Sequence, residues 1–310
     1  MFDPSIEEAS NTQINRPAAD SSNGERAKDP RLPQAEAYCR KIARGHYENF
    51  IVASVLLPRR MRQPFYNVYA FCRFADDLAD ESESPQAATR SLIWWQGELD
   101  RCFLGQADHP IFIALGQTVR ELGLPKRPFD DLLDAFRQDQ VKTRYADFPE
   151  LIDYCRRSAD PVGRLVLRMA GCDSPENVTL SDRICTGLQL ANHWQDIARD
   201  YAAGRIYLPE DSMREAGVTE SMLGEALACE PLKRLIAEQS AIARRMLESG
   251  LPLAERVPKW LAADIRLFVR GGEAILDAIA AADHDTLVRR PKVSPWRQML
   301  FTAQAIFGRL

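Results

Sequence analysis

Several features common in other protein classes are missing from this chain, and each absence excludes something. Its seven cysteines, Cys39, Cys72, Cys102, Cys155, Cys172, Cys185 and Cys229, include no Cys-x-x-Cys pair, and their number is odd. Neither a zinc site nor a disulfide framework is expected; scattered, mostly apolar-flanked cysteines are small core residues of a reducing compartment. No stretch approaches the roughly 20 apolar residues of a membrane span. The N-terminus lacks the basic-then-apolar order of a signal peptide, so the expected location is cytoplasmic. Positive charge is not in excess: 40 Lys and Arg stand against 44 Asp and Glu, a net charge of -4. That leaves no electrostatic case for nucleic acid as a partner. An anionic substrate must then be held by local cations or metal, not by a global field. There is no alternating pattern long enough for a sheet, no internal repeat, and no Gly-x-Gly-x-x-Gly dinucleotide fingerprint.

What is present is a helical chain with an ordinary share of apolar residues, 45%. Its 310 residues suggest about two domains by length alone, but a single helical core of this size is also compatible. Residues 1–30 are rich in Asp, Glu, Ser, Asn and Pro, without apolar periodicity, and are expected to be a disordered tail. From Gln34 onward apolar residues recur at three and four spacings. Pro58, Pro85, Pro110, Pro125, Pro149, Pro175, Pro209, Pro252 and Pro291 fall between these runs. The only strand-like run, residues 50–57, continues an upstream stripe through Tyr38, Ile42 and His46, so it is assigned to helix. The expectation is an all-α, single-domain bundle over residues 31–310.

Two acidic segments stand out. In Arg73-Phe74-Ala75-Asp76-Asp77-Leu78-Ala79-Asp80 the carboxylates of Asp76 and Asp80 lie one helical turn apart. Taken alone this is a solvated acidic helix end or half of a magnesium site. A second run, Gln189-Leu190-Ala191-Asn192-His193-Trp194-Gln195-Asp196-Ile197-Ala198-Arg199-Asp200, places Asn192, Asp196 and Asp200 at four-residue steps on one helical face, with Gln189 extending the line. A line of carboxylates among apolar residues is costly without a cation. Two such lines facing each other across a cavity would let metal ions bridge a diphosphate and neutralise it as it departs.

These motifs resemble the squalene/phytoene synthase family over roughly residues 34–290. The elements, in order, are His46 and Asn49-Phe50, Leu57-Pro58, Val68-Tyr69-Ala70-Phe71-Cys72-Arg73 leading to Asp76 and Asp80, then Asn192, Asp196 and Asp200, and Gly204-Arg205-Ile206-Tyr207-Leu208-Pro209. The resemblance implies an isoprenoid-synthase helical bundle around a central cavity. It also implies that Asp76, Asp80, Asn192, Asp196 and Asp200 bind Mg2+, and that His46, Tyr69, Arg73 and Gln189 contact diphosphate or prenyl chain. Arg205 is placed to reach a diphosphate oxygen and Tyr207 to close the cavity. Phe50, Tyr69, Phe71 and Trp194 are either walls shielding a carbocation or ordinary core. His46 alone would be a core residue, but it shares a stripe with Asn49 and Phe50. Arg59, Arg60 and Arg62 are expected in a solvated turn.

Two departures narrow the resemblance. Many members carry Asn-x-x-Arg-Asp where this chain has Gln195 before Asp196, so one cation is missing there. In Tyr154-Cys155-Arg156-Arg157-Ser158-Ala159-Asp160-Pro161-Val162-Gly163, arginines stand where the family often has a second tyrosine tied to cyclopropane formation, and Pro161 interrupts a helix interior. The Asn192-His193-Trp194-Gln195-Asp196 variant, together with Asn49-Phe50-Ile51-Val52-Ala53-Ser54, resembles the hydroxysqualene-forming branch, and the departures fit it. That branch takes presqualene diphosphate and water, needs no NADPH, and receives its substrate from a presqualene diphosphate synthase. The alternatives are family members making presqualene diphosphate, squalene or phytoene, and, from another class, a non-catalytic helical assembly protein. Residues 295–310 carry apolar residues at 296, 299, 300, 303, 307 and 310. This amphipathic helix either packs on the bundle or rests peripherally on the inner face of the cell membrane.

Overall fold

The structure, a computed structural model, describes residues 29–45 and 57–294. Among these it is helical, without a β-strand. The helices are α1 (Leu32–Gly45), α2 (Arg59–Asp80), α3 (Pro85–Phe103), α4 (Pro110–Leu122), α5 (Arg127–Gln138), α6 (Phe148–Ser158), α7 (Asp160–Ala170), α8 (Pro175–Gln195), the short α9 (Ile197–Ala202) and α10 (Glu210–Ala216), α11 (Glu230–Gly250) and α12 (Lys259–Ala281). Two 3-10 turns, Glu220–Gly224 and Leu251–Glu255, flank α11. His46, Asn49, Phe50 and the C-terminal stripe at 295–310 lie outside the described residues, as does all of 50–57 but Leu57. No helix among the described residues is long and apolar enough to cross a membrane.

The prolines act as helix starts. Pro85, Pro110 and Pro175 are first residues of α3, α4 and α8, where a missing N–H is not needed. The side chains before them cap the exposed amides: Ser84 Oγ accepts from Ala87 N at 3.2 Å, and Ser174 Oγ from Asn177 N at 3.3 Å. Pro161 likewise stands in the first turn of α7, after a break at Ala159, so it opens one helix instead of lying inside another. Arg59, Arg60 and Arg62 are not in a turn; they form the opening of α2, where Arg62 Nε donates to Leu57 O at 3.2 Å.

Two apolar clusters make the core. One joins α1 to α5 with part of α7 around Phe71, Trp95, Phe112 and Phe129. The other joins α6 to α12 around Trp194, Leu232 and Ile236. Phe71 packs edge-on against Phe129, ring centres 5.1 Å apart, and it and Trp194 are wholly buried. Both are core residues, not cavity walls; apolar spacing alone does not separate those two fates.

Helix α8 runs through the second half, packed on α7, α11 and α12. It approaches α11 closely because glycine removes side-chain bulk at the contact. A Cβ on Gly187 would lie 3.0 Å from Leu247 Cδ2, and one on Gly250 would lie 2.4 Å from Ile184 Cγ1 and 2.7 Å from the Leu180 carbonyl oxygen. The latter neighbour is backbone and cannot rotate away. Gly250→Ala should therefore destabilise the fold by about 1–3 kcal/mol, the range for overpacking. The measurement is urea unfolding: the midpoint falls while the slope stays constant. An unchanged midpoint would mean the α8–α11 approach is looser than described.

Candidate active site

One face of α2 crosses from hydrocarbon to acid. Phe65, Val68, Tyr69 and Cys72 line an apolar cavity of about 430 Å³. Further along the same face, Asp76, Ala79 and Asp80 line a polar cavity of about 290 Å³. The helical repeat dictates this alignment, since positions three and four apart share a side. Helix α8 makes the same transition. Ser181, Ile184, Cys185 and Leu188 border the apolar cavity, and Gln189 borders the polar one.

The second acidic line is bent, not straight. Helix α8 stops at Gln195, and Asp196 (φ -105°, ψ 14°) separates it from α9. The amide of Asp196 is shared between Asn192 O at 3.0 Å and His193 O at 3.3 Å, the tightening common at helix ends. Asp200 N still bonds Asp196 O at 2.8 Å, so the spacing resumes beyond the joint. The expectation of a single continuous helical face is thus corrected. Asn192 is exposed and borders neither cavity. Asp200 sits beside His193, Arg205 and Tyr207 in a small adjoining pocket.

Cations are interleaved with the acids. Arg73 pairs with Asp76 at 3.1 Å and also with Asp77 on its own helix. Arg205 Nη1 lies 3.9 Å from Asp80 Oδ1, and Arg205 borders both the polar cavity and the Asp200 pocket. Arg290 forks onto Asp196. Burial, and then the charge of Asp80, raises Asp76 above the usual carboxylate range. Burial and Asp196 push Asp200 up to about 6, opposed by Arg205.

Three groups near the polar cavity were not among the site residues expected from the sequence. Asp139, just past α5, borders the polar cavity, and burial pushes its carboxyl up to about 7. Tyr154 donates to Asp139 Oδ2 at 3.0 Å, so a tyrosine does stand on this wall although arginines follow Cys155. Arg290 arrives from beyond α12. Tyr207 borders the polar cavity and stacks on His193 with ring centres 3.7 Å apart; burial holds that imidazole at about 3, hence neutral.

The donors suit a hard divalent cation. They are carboxylates in pairs, and in each pair burial and the neighbouring charge raise one member, Asp76 or Asp200, a condition a bound cation would relieve. Among the described residues no three His, Cys, Asp or Glu side chains converge into a ready-made cage. Magnesium does not need one, since it keeps several waters and takes substrate phosphate oxygens.

The family model for squalene/phytoene synthase matches residues 43–297. The chain belongs to the squalene/phytoene synthase family. It is 38% identical over 213 residues to hydroxysqualene synthase of Rhodopseudomonas palustris, covering 68% of this chain and 71% of that protein. It is 28% identical over 285 residues to 15-cis-phytoene synthase of Synechococcus elongatus, covering 86% and 91%. Among solved structures, squalene synthase HpnC from Alicyclobacillus acidocaldarius superposes with a TM-score of 0.78 at 44% identity, over 82% of this chain and 95% of that one. The fold is the isoprenoid-synthase helical bundle that the motifs implied.

Within the apolar cavity of this family member sits one acid. Asp264 of α12 is 3% exposed, its Oδ1 has no hydrogen-bond partner, and burial alone pushes its carboxyl up to about 8. Between about pH 4 and about 8 the unfolded chain releases this proton while the folded chain keeps it. Its contribution to stability must therefore fall as pH rises through that window, and level off above it. Asp264→Asn never ionises. Relative to the parent, the variant's stability should rise from pH 4 to 8 in urea titrations; a pH-independent difference would show that Asp264 is ionised at neutral pH.

Proposed function

We propose that this chain ionises presqualene diphosphate with Mg2+ and captures the rearranged carbocation with water, giving hydroxysqualene and diphosphate without NADPH. The observation that carries this reading is the face of α2 that passes from apolar cavity to acid-lined cavity. It matches a substrate with a long hydrocarbon body and a polyanionic head. Relatives named hydroxysqualene synthase support the branch.

Asp76 and Asp80 on α2, with Asn192, Asp196 and Asp200 on the second segment, are the proposed metal ligands. Magnesium, when bound, neutralises the departing diphosphate oxygens as a Lewis acid. Arg205 adds charge-assisted bonds to the same oxygens, Gln189 offers an amide beside them, and Arg73 keeps Asp76 oriented from its own helix. Tyr69, at the border of the apolar cavity, presents an aromatic ring where positive charge develops. The apolar walls exclude bulk water while the cation rearranges. Tyr207, stacked on neutral His193, closes the polar end. His46, Asn49 and Phe50 complete the substrate contacts on the strength of their motif.

In this reading residues 31–310 are one catalytic domain and 1–30 a tail. The protein is cytoplasmic with peripheral contact at the inner face of the membrane, and it takes its substrate from a presqualene diphosphate synthase. A second reading is condensation of two prenyl diphosphates. Relatives named phytoene synthase and the phenol of Tyr154 on the polar cavity wall favour it.

Incubation with presqualene diphosphate and Mg2+ in 18O-labelled water, without NADPH, separates the readings. An alcohol carrying the label is expected. An oxygen-free product formed only with NADPH, or turnover only with two prenyl diphosphates, would overturn the proposal, and no turnover with either would favour a non-catalytic helical protein. Asp76→Asn and Asp196→Asn should each lower turnover about 100-fold or more, the scale of losing one preorganised charge stabiliser. Near-normal rates at limiting Mg2+ would remove both residues from the metal site.

A further inference from the structure

Residue 195 lacks the cation that many family members carry before the acid, yet a cation stands there in space. Gln195 ends α8 and is 5% exposed. Its amide faces a segment that follows α12. Gln195 Nε2 donates to Pro291 O at 2.6 Å, and Gln195 Oε1 accepts from Arg290 Nη2 at 2.9 Å. The same guanidinium donates to Asp196 through Nε to Oδ1 at 2.5 Å and through Nη2 to Oδ2 at 2.8 Å.

The segment that delivers Arg290 is tied down at both ends. After α12 the backbone turns at Asp283 and His284, whose φ values are 55° and 57°. Asp285 then accepts from Leu287 N at 3.1 Å, Val288 N at 3.3 Å and, ahead of α11, Ala228 N at 3.2 Å. Pro291 is buried against Gln195 at the other end. Between the anchors, guanidinium bonds to Gln195 and Asp196 hold Arg290, whose side chain is 42% exposed.

An amide suits this position because it holds both a donor and an acceptor. Its oxygen takes a guanidinium N–H and its NH2 group satisfies the Pro291 carbonyl. An arginine at 195 would have five donors and no acceptor, and would repel Arg290. A long cationic side chain on a loop loses substantial rotamer freedom on binding an anion; a planar fork already held in place loses less.

We propose that Gln195 is a positioning residue: its buried amide fixes Arg290 beside Asp196, so that the cation for the substrate's diphosphate is delivered from the C-terminal segment instead of from position 195. This rests on the diphosphate reading of the site. A purely structural staple would hold the segment without affecting anion binding.

The test is calorimetric titration of the full chain with inorganic pyrophosphate at fixed Mg2+ and salt, with thermal midpoints measured alongside. Binding by the parent protein is expected. Arg290→Gln and Gln195→Met should each weaken it about tenfold, and the double variant should lose no more than Arg290→Gln alone, because both changes remove one coupled element. Arg290→Lys, at a half-exposed side chain that keeps charge but loses the fork, should weaken binding even if Gln195→Met fails to fold. Parent-like affinity in Gln195→Met with a loss in Arg290→Gln would overturn the positioning role, as would additive losses in the double variant. Parent-like affinity in Arg290→Lys would show that charge without placement suffices, and would overturn it too. A parent protein that does not bind Mg2+-pyrophosphate would instead remove the diphosphate reading beneath it.

Discussion

The site depends on carboxylates that are partly buried beside one another. Asp76 is raised by burial and by Asp80; Asp200 is raised by burial and by Asp196. Packing forces hold these acids on two separate helices, where water would otherwise disperse the charge. The protein answers with arginines from three places: Arg73 from the same helix, Arg205 from the loop after α9, and Arg290 from the segment after α12. Each is a partial answer, because none is fully buried with its acid, and Arg73 and Arg205 each meet only one oxygen of Asp76 and Asp80. A site in this condition favours divalent cations and polyanions together, since each supplies what the other and the acids lack.

The bundle keeps that charged end apart from an apolar one. On α2 the change occurs within one turn, between Cys72 and Asp76, and on α8 between Leu188 and Gln189. Two long helices in register therefore define where a polar head stops and a hydrocarbon begins. The α8–α11 contact through Gly187 and Gly250 holds one of these helices against the rest of the core. The apolar cavity also acts on Asp264, whose carboxyl burial raises to about 8 and whose Oδ1 has no hydrogen-bond partner.

Relatives on this scaffold bear different product names, among them hydroxysqualene synthase and phytoene synthase.

Much of this was legible in the chain, for local reasons. Helical periodicity set the fold class, prolines 85, 110 and 175 marked helix starts, and the four-residue spacing of Asp76 and Asp80 put both on one face, because helix geometry follows from the backbone alone. Tertiary structure decided the rest. Phe71 and Trp194 went to the core while Tyr69 reached the cavity; a core and a hydrocarbon cavity demand the same apolar residues, so pattern cannot distinguish them. The break at Asp196 falls in a stretch without glycine or proline, so no helix breaker in the sequence marks it. Asp139 met Tyr154, and Arg290 met an acid 94 positions earlier, only because packed helices brought their ends together. Contacts at such separations are set by how the bundle closes, and no local spacing records them.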